Sequence, residues 1–432
     1  MSRKKLGFWT SSSLVAGNMI GSGIFLLPSV LASYGSVSIF GWVISAFGAA
    51  SLAFVFIEFS KILPGTSGGP YVYSRKGLGD FAGFLVAWGY WISVWCTNAA
   101  ITIALIGYLG VFFPVLQTDT TLAVATGLGI VWAIVWLNTR GIREAAVFSL
   151  VTTILKITPL LAIGLVGMFY VKLENFTLFN ISGVSDFQAM TATATLTLFA
   201  YMGIECATIP SGDIENPERT IPRSTYFGLG VAAVVYILGT TSLMGIIPAE
   251  ELQYSQAPFS DAAAVMWGSW AENLVAFGAV VSTLGALNGW ILIQGQIPAA
   301  ISRDKLFPPI FAKENNNGVP ALSIILSSVL ISILIVMNYS EGLIKAFQFI
   351  LLLASMTALM AYLFTSVSYV LVVGANEKLE KGFKRKATLA SIAFLFSIWA
   401  IAGSGVEIVY WGFILLIAGI PLYVWMQLKK SN

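Results

Sequence analysis

The sequence predicts an all-α membrane protein of twelve transmembrane helices, with helices 1 and 6 discontinuous and the first ten arranged as a 5+5 inverted repeat. Three observations predict it. Apolar residues make up 57% of the 432-residue chain and charged residues only 10%, against about 45–50% and about 25% in soluble domains. The basic residues sort to one side of the resulting spans. Two of the spans are interrupted by glycine and polar residues at matching places.

The apolar residues fall in runs of about 20, the length that crosses a bilayer core as one helix. The runs place spans at about 8–33, 37–60, 81–113, 121–138, 145–170, 188–213, 223–247, 271–301, 320–338, 343–373, 387–403 and 408–428. The third, eighth and tenth are long enough that they must tilt or run past the hydrocarbon. With the N-terminus in the cytoplasm, 20 of the 23 Lys and Arg lie on the cytoplasmic side, two (Lys172 and Lys345) lie outside, and Lys156 falls within a span. A miscounted span would mix the two sides, so this division supports both the count and the direction, with both termini cytoplasmic. The basic run Lys378–Lys386 meets anionic lipid at that surface. The basic N-terminus is read as the start of a retained first helix, because no convincing cleavage site follows it.

Composition also excludes. The chain has no His, so His-based metal sites and His general bases are ruled out. Its two Cys, Cys96 and Cys206, lie in apolar runs and imply no disulfide framework. No nucleotide-binding loop or metal-ligand cluster appears, and neither a cofactor nor nucleic acid is expected.

The interruptions are Gly17-Asn18-Met19-Ile20-Gly21-Ser22-Gly23 in span one and Phe199-Ala200-Tyr201-Met202-Gly203-Ile204-Glu205 in span six. They correspond if residues 1–170 and 188–373 are repeats of five spans, with 387–428 supplying two further helices. An odd number of spans per repeat forces opposite orientations, and paired broken helices then hold a ligand near the midplane. Unwinding a helix in lipid strands backbone groups at a cost of a few kcal/mol each. It is tolerated around a polar cavity. At Gly21-Ser22-Gly23 no bulky side chain shields the backbone, and freed N–H groups suit a small carboxylate. Freed carbonyls near Phe199–Gly203 suit an ammonium. A zwitterionic amino acid carries both groups. A lone Gly-Ser-Gly is more often a packing contact; the second interruption favours the paired site.

The buried polar residues keep more than one reading. Lys156, about twelve residues into its span, needs a partner or a cavity unless it lies nearer an interface. Glu205 could relay a proton, attract a cationic substrate or brace neighbouring spans by hydrogen bonds. Asn98 reads equally as a packing residue or a ligand contact, and Glu58 as structural.

Three stretches, taken together, resemble the amino acid–polyamine–organocation transporters. They are Asn18-Met19-Ile20-Gly21-Ser22-Gly23-Ile24-Phe25, Pro64-Gly65-Thr66-Ser67-Gly68-Gly69-Pro70-Tyr71, and Phe199–Glu205 followed by Asp213–Arg223. The resemblance runs from span one through span ten. It implies a LeuT-like fold, alternating access, a bacterial inner-membrane location and often a homodimer. It also implies sodium-independent amino acid exchange or proton-coupled transport, or, as the alternative, exchange of a cationic amino acid for an amine.

By the same resemblance, Ser22 and Gly23 meet the substrate carboxylate, with Ile20 and Gly21 beside them. Phe199, Ala200, Tyr201 and Gly203 border it from span six. Asn98 lines the pocket from span three and Trp290 closes it from span eight. Phe199, Trp290, Glu205 and Lys156 serve gating or coupling. Phe199 stands where the cationic antiporters carry a gating Trp, and Lys156 where sodium-independent exchangers carry a Lys in place of a sodium ion. Both departures weaken a strictly cationic assignment. A channel would show a continuous polar path, an enzyme a cluster of catalytic side chains at one depth, and a scaffold no broken helices. None of these patterns is present.

Overall fold

A backbone in lipid must satisfy its own hydrogen bonds, and every long element here is a helix. The computed structural model describes residues 6–63, 69–140, 157–206, 208, 214–376 and 382–431, and a few side chains, Ser22 among them, lie outside that description. In chain order the helices are α1 (Phe8–Met19), α2 (Ser22–Ala32), α3 (Ser38–Ile62), α4 (Pro70–Leu78), α5 (Asp80–Phe112), α6 (Thr120–Thr139) and α7 (Ile157–Tyr170). Then follow α8 (Asp186–Leu198), α9 (Pro217–Ile246), α10 (Pro258–Trp267), α11 (Ser269–Arg303), α12 (Ala321–Asn338) and α13 (Leu343–Asn376). The chain closes with α14 (Phe383–Gly403), α15 (Val406–Ile417) and α16 (Ile420–Ser431).

Among the described residues, ten helices are long and apolar enough to cross a membrane, with α1 and α2 counted as one span and α15 and α16 as another. The remaining two of the twelve expected positions hold shorter helices. α7 covers only the described end of the fifth span, and α8 stops at the sixth-span interruption. Lys156 and residues 141–155 lie outside the described residues. The long spans are α5, α11 and α13, with 33, 35 and 34 residues. At about 1.5 Å per residue each reaches about 50 Å, well beyond the roughly 30 Å hydrocarbon core.

Burial separates a centre from a rim. The most apolar stretch of α5 is 89% buried and that of α13 is 78% buried, whereas the last two spans are each 22% buried. Those two are therefore peripheral. α5 and α13 pack along each other, and small residues let the other helices approach. A Cβ on Gly41 would stand 2.7 Å from Thr193 Oγ1 of α8. Side-chain hydroxyls tie the same contacts, with Thr197 Oγ1 donating to the Gly41 carbonyl at 3.0 Å.

Candidate functional site

The two interruptions lie side by side. α1 ends when Ile20 donates to the Ala16 carbonyl at 2.8 Å and Gly21 turns back to Met19 at 2.8 Å. Gly21 is extended, and α2 then starts afresh at Ser22. The first N–H groups of α2 therefore have no helical acceptor before them. In the sixth span α8 tightens into a 3₁₀ turn over Phe199–Tyr201, and the chain then leaves helical geometry at Met202. Gly203 has φ +105°, a conformation costly for any residue with a Cβ, so glycine is required at this bend.

The contacts set their relative direction. Gly23 faces Phe199 and Ala200, while Asn18 faces Gly203. The numbering rises along one segment as it falls along the other, so the segments are antiparallel. This is the inverted-repeat-like pairing of two broken helices. Asn18 packs closely here, its Cβ lying 3.4 Å from where a Cβ on Gly203 would stand.

A narrow cavity lies between these breaks, α5 and α11. Asn18, Met19, Gly21 and Gly23 line it from the first break, and Phe199, Ala200, Met202 and Glu205 from the second. Tyr90, Ser93, Val94, Thr97 and Ile101 line it from α5, and Trp290 from α11. Phe199, Glu205 and Trp290 are each at least nine-tenths buried, so the chamber is occluded. Phe199 lies directly over Gly23, where a Cβ would stand 3.1 Å from its Cδ1.

Each end has its own seal. Glu205 accepts from the Tyr90 hydroxyl at 2.7 Å and from the Tyr362 hydroxyl at 2.8 Å, one on each carboxylate oxygen. Three spans thus meet at one buried carboxylate. Beyond it, Leu6 and Ile214 form a short parallel bridge, with Glu215 donating to the Leu6 carbonyl at 2.9 Å. Toward α10, Tyr108 donates to the Phe25 carbonyl at 2.8 Å, and the Phe25 ring packs edge-on to Tyr108 and Phe259.

Gly21, Gly23, Phe199, Ala200, Glu205 and Trp290 all come together on the cavity wall. Ile20 is buried in the break beside it, and Ser22 is the first residue of α2. Tyr201 points behind the wall, where its ring lies 5.9 Å from Trp42 and 5.4 Å from Tyr236. The Ala200 carbonyl, one of the acceptors freed by the break, takes the Tyr236 hydroxyl at 2.9 Å.

Asn98 is fully buried and stands beside the cavity rather than among its lining residues. Its amide donates to Gln294 Oε1 of α11 at 2.7 Å. Gln294 Nε2 in turn reaches Ser328 Oγ at 2.8 Å and the Ile324 carbonyl at 3.3 Å. Ser328 spends its own proton on the Ile324 carbonyl, so both partners of Nε2 act as acceptors and the orientation of the Gln294 amide is fixed. Asn98 must then turn its NH₂ toward Gln294, and its Oδ1 is left buried without a partner.

Sequence reasoning placed Asn18 and Met202 in the breaks without giving their side chains a role, and missed Ser93, Thr97 and Tyr362. The α5 residues carry a readable signal, since 90, 93, 94, 97 and 101 recur at helical spacing and mark one face. Tyr362 carries none, because only packing brings α13 to Glu205.

Paired broken helices around an occluded polar chamber define a secondary transporter working by alternating access. The chain belongs to the amino acid permease family, whose model matches residues 6–426. It is a transport protein rather than an enzyme, of a family named for amino acid transport. The chain is 32% identical over 383 residues to the cadaverine/lysine antiporter of Escherichia coli K12, covering 87% of this chain and 85% of that protein. It is 32% identical over 425 residues to the arginine/ornithine antiporter of Pseudomonas aeruginosa PAO1, with 94% and 87% covered. It is 29% identical over 449 residues to the arginine/agmatine antiporter of Chlamydia pneumoniae, with 100% and 92% covered. Among solved structures, a Na⁺-coupled sialic acid symporter in an outward-open state shares the fold, with a TM-score of 0.56 at 13% identity, covering 93% of this chain and 90% of that one.

Proposed function

We propose that this chain exchanges a cationic amino acid for a second cationic amino acid or amine across a bacterial cytoplasmic membrane. One observation carries the reading. The only ionisable carboxylate among the described lining residues is Glu205, and no Lys or Arg accompanies it. A chamber walled by neutral groups and one carboxylate favours a cation over a neutral side chain. The antiporters of lysine, arginine and their products described above are similar over most of their length, which supports the same substrate class.

In this proposal the substrate carboxylate accepts from the free N–H groups at Ser22, Gly23 and Ile24, where the start of α2 adds a favourable partial charge. Its ammonium meets carbonyls of the second break. The cationic end rests against the Trp290 ring, a cation–π contact of about 0.5–2 kcal/mol. Phe199 closes over Gly23 once the site is filled. Glu205 holds the Tyr90 and Tyr362 hydroxyls, so opening that end breaks two charge-assisted bonds.

The arrangement proposed is twelve spans, with 1–170 and 188–373 as inverted repeats, 387–428 added outside them, and both termini cytoplasmic. Lys156 braces the first break where sodium-coupled relatives would hold an ion. Proton coupling through Glu205, bound lipid and a homodimer complete the proposal.

Counterflow into liposomes containing only this protein tests it. Vesicles preloaded with lysine should take up labelled arginine, lysine, ornithine and their amines with saturation and without sodium. Uptake restricted to neutral amino acids would overturn the cationic assignment, and non-saturable flux would overturn the carrier.

A further inference from the structure

We propose that the crevice between α3, α9 and α14 binds one anionic phospholipid of the cytoplasmic leaflet. Phe47, Gly48 and Phe54 of α3, Tyr226 of α9, and Ile392 and Phe396 of α14 form its walls, around about 990 Å³ of open space. The walls are apolar and face outward, with Phe47 76% exposed and Ile392 48% exposed. Gly48 makes the depth: a Cβ there would stand 1.9 Å from Phe396 Cζ, so the ring lies against bare backbone.

All three walls end in positive charge on the same side. α3 runs toward that side and reaches Lys61 two turns beyond Phe54. α9 and α14 run away from it, with Arg223 one turn before Tyr226 and Lys384, Arg385 and Lys386 about one turn before Leu389, another wall residue. Glu58 lies at the base and takes both Lys61 and Lys386, the latter at 3.3 Å. Arg223, Lys384 and Arg385 are exposed and have no carboxylate within salt-bridge distance among the described residues. The mouth is therefore cationic and the trough apolar.

Scale selects the occupant. From Leu389 to Phe396 the trough runs seven residues, about 10 Å at the helical rise. That fits within one leaflet's share of the hydrocarbon, about 15 Å. A phosphate at the mouth with an acyl chain in the trough matches both features. A second copy of the chain fits poorly, because its own basic residues gather on the same side and would meet this mouth with like charge. The cytoplasmic leaflet follows from the proposed cytoplasmic placement of both termini.

The full-length chain, purified in mild detergent and exposed to equal phosphatidylglycerol and phosphatidylcholine, is weighed intact by native mass spectrometry. Wild type should retain phosphatidylglycerol preferentially, and excess inorganic phosphate should not displace it. The surface variant Arg223→Gln/Lys384→Gln/Arg385→Gln should lose the preference, by about fivefold per charge removed. Ser51 of α3 also lines the crevice, and Ser51→Phe, which fills the trough, should lose bound lipid of either kind. Equal retention of the two lipids, or charge variants with unchanged retention, would overturn the proposal. So would complete disulfide cross-linking of Ile392→Cys between copies. The surface substitutions leave the core intact, so the test stands if Ser51→Phe misfolds. Lipid retention is read without transport, so failure of the exchange assay leaves it unaffected.

Discussion

Adding one methyl group to Gly23 tests the closure of the chamber. The new Cβ of Gly23→Ala would lie 3.1 and 3.2 Å from two carbons of the Phe199 ring and 3.6 Å from Ala200 Cα. Carbon atoms rest comfortably at about 3.5–4.0 Å, so the ring must recoil by several tenths of an ångström. Overpacking of this kind costs about 1–3 kcal/mol. The residue is second in α2, where alanine is the better helix former by about 1 kcal/mol, so the helix itself is not harmed. The cost falls on the occluded state, in which Phe199 covers Gly23. At about 1.4 kcal/mol per tenfold, the occluded population should drop by about 5- to 150-fold relative to open states. Counterflow in liposomes should slow accordingly while membrane insertion and protein yield stay at wild-type levels. In a Phe199→Ala background the same methyl should cost nothing, and the double-mutant cycle should return a coupling near the full loss. Wild-type exchange by Gly23→Ala, or a loss that persists without the Phe199 ring, would refute the reasoning.

Other substitutions probe the remaining parts. Tyr362→Phe removes one charge-assisted bond to Glu205, worth about 1.5–3 kcal/mol, and should loosen the seal, seen as faster modification of a cysteine placed in the chamber from the Leu6 side. Gln294→Met leaves the buried Asn98 amide without its acceptor and should destabilise the α5–α11 contact by about 1–3 kcal/mol, seen as a lower melting temperature of the purified protein; an unchanged melting temperature would refute the packing role. Lys156→Ala should abolish exchange without altering insertion, and unchanged uptake would remove its proposed bracing role.

Occlusion explains how so small a chamber serves an exchanger. The Glu205 clamp and the Phe25–Tyr108–Phe259 cluster close opposite ends of it. Exchange requires that each seal open in turn. A carboxylate bonded to two tyrosines from different spans suits that task, because withdrawing the sixth-span break from α5 and α13 would break both bonds together.

The sequence by itself determined the membrane class, the positions of the ten long apolar spans and the location of both breaks. Each follows from short-range chemistry: apolar runs long enough to cross a bilayer, and glycines where the backbone must leave the helix. Gly21, Gly23, Phe199, Ala200, Glu205 and Trp290 could be named from motif positions because those motifs lie in the breaks themselves or on one facing helix. The tertiary structure alone decided the partners. Tyr362 lies 157 positions from Glu205, and Gln294 lies 196 from Asn98. Nothing next to Tyr362 in the sequence names its partner, so a tyrosine in lipid and a tyrosine holding a buried carboxylate read alike along the chain. Packing of α5, α11 and α13 separates them, because only the inward residue has a polar group to meet.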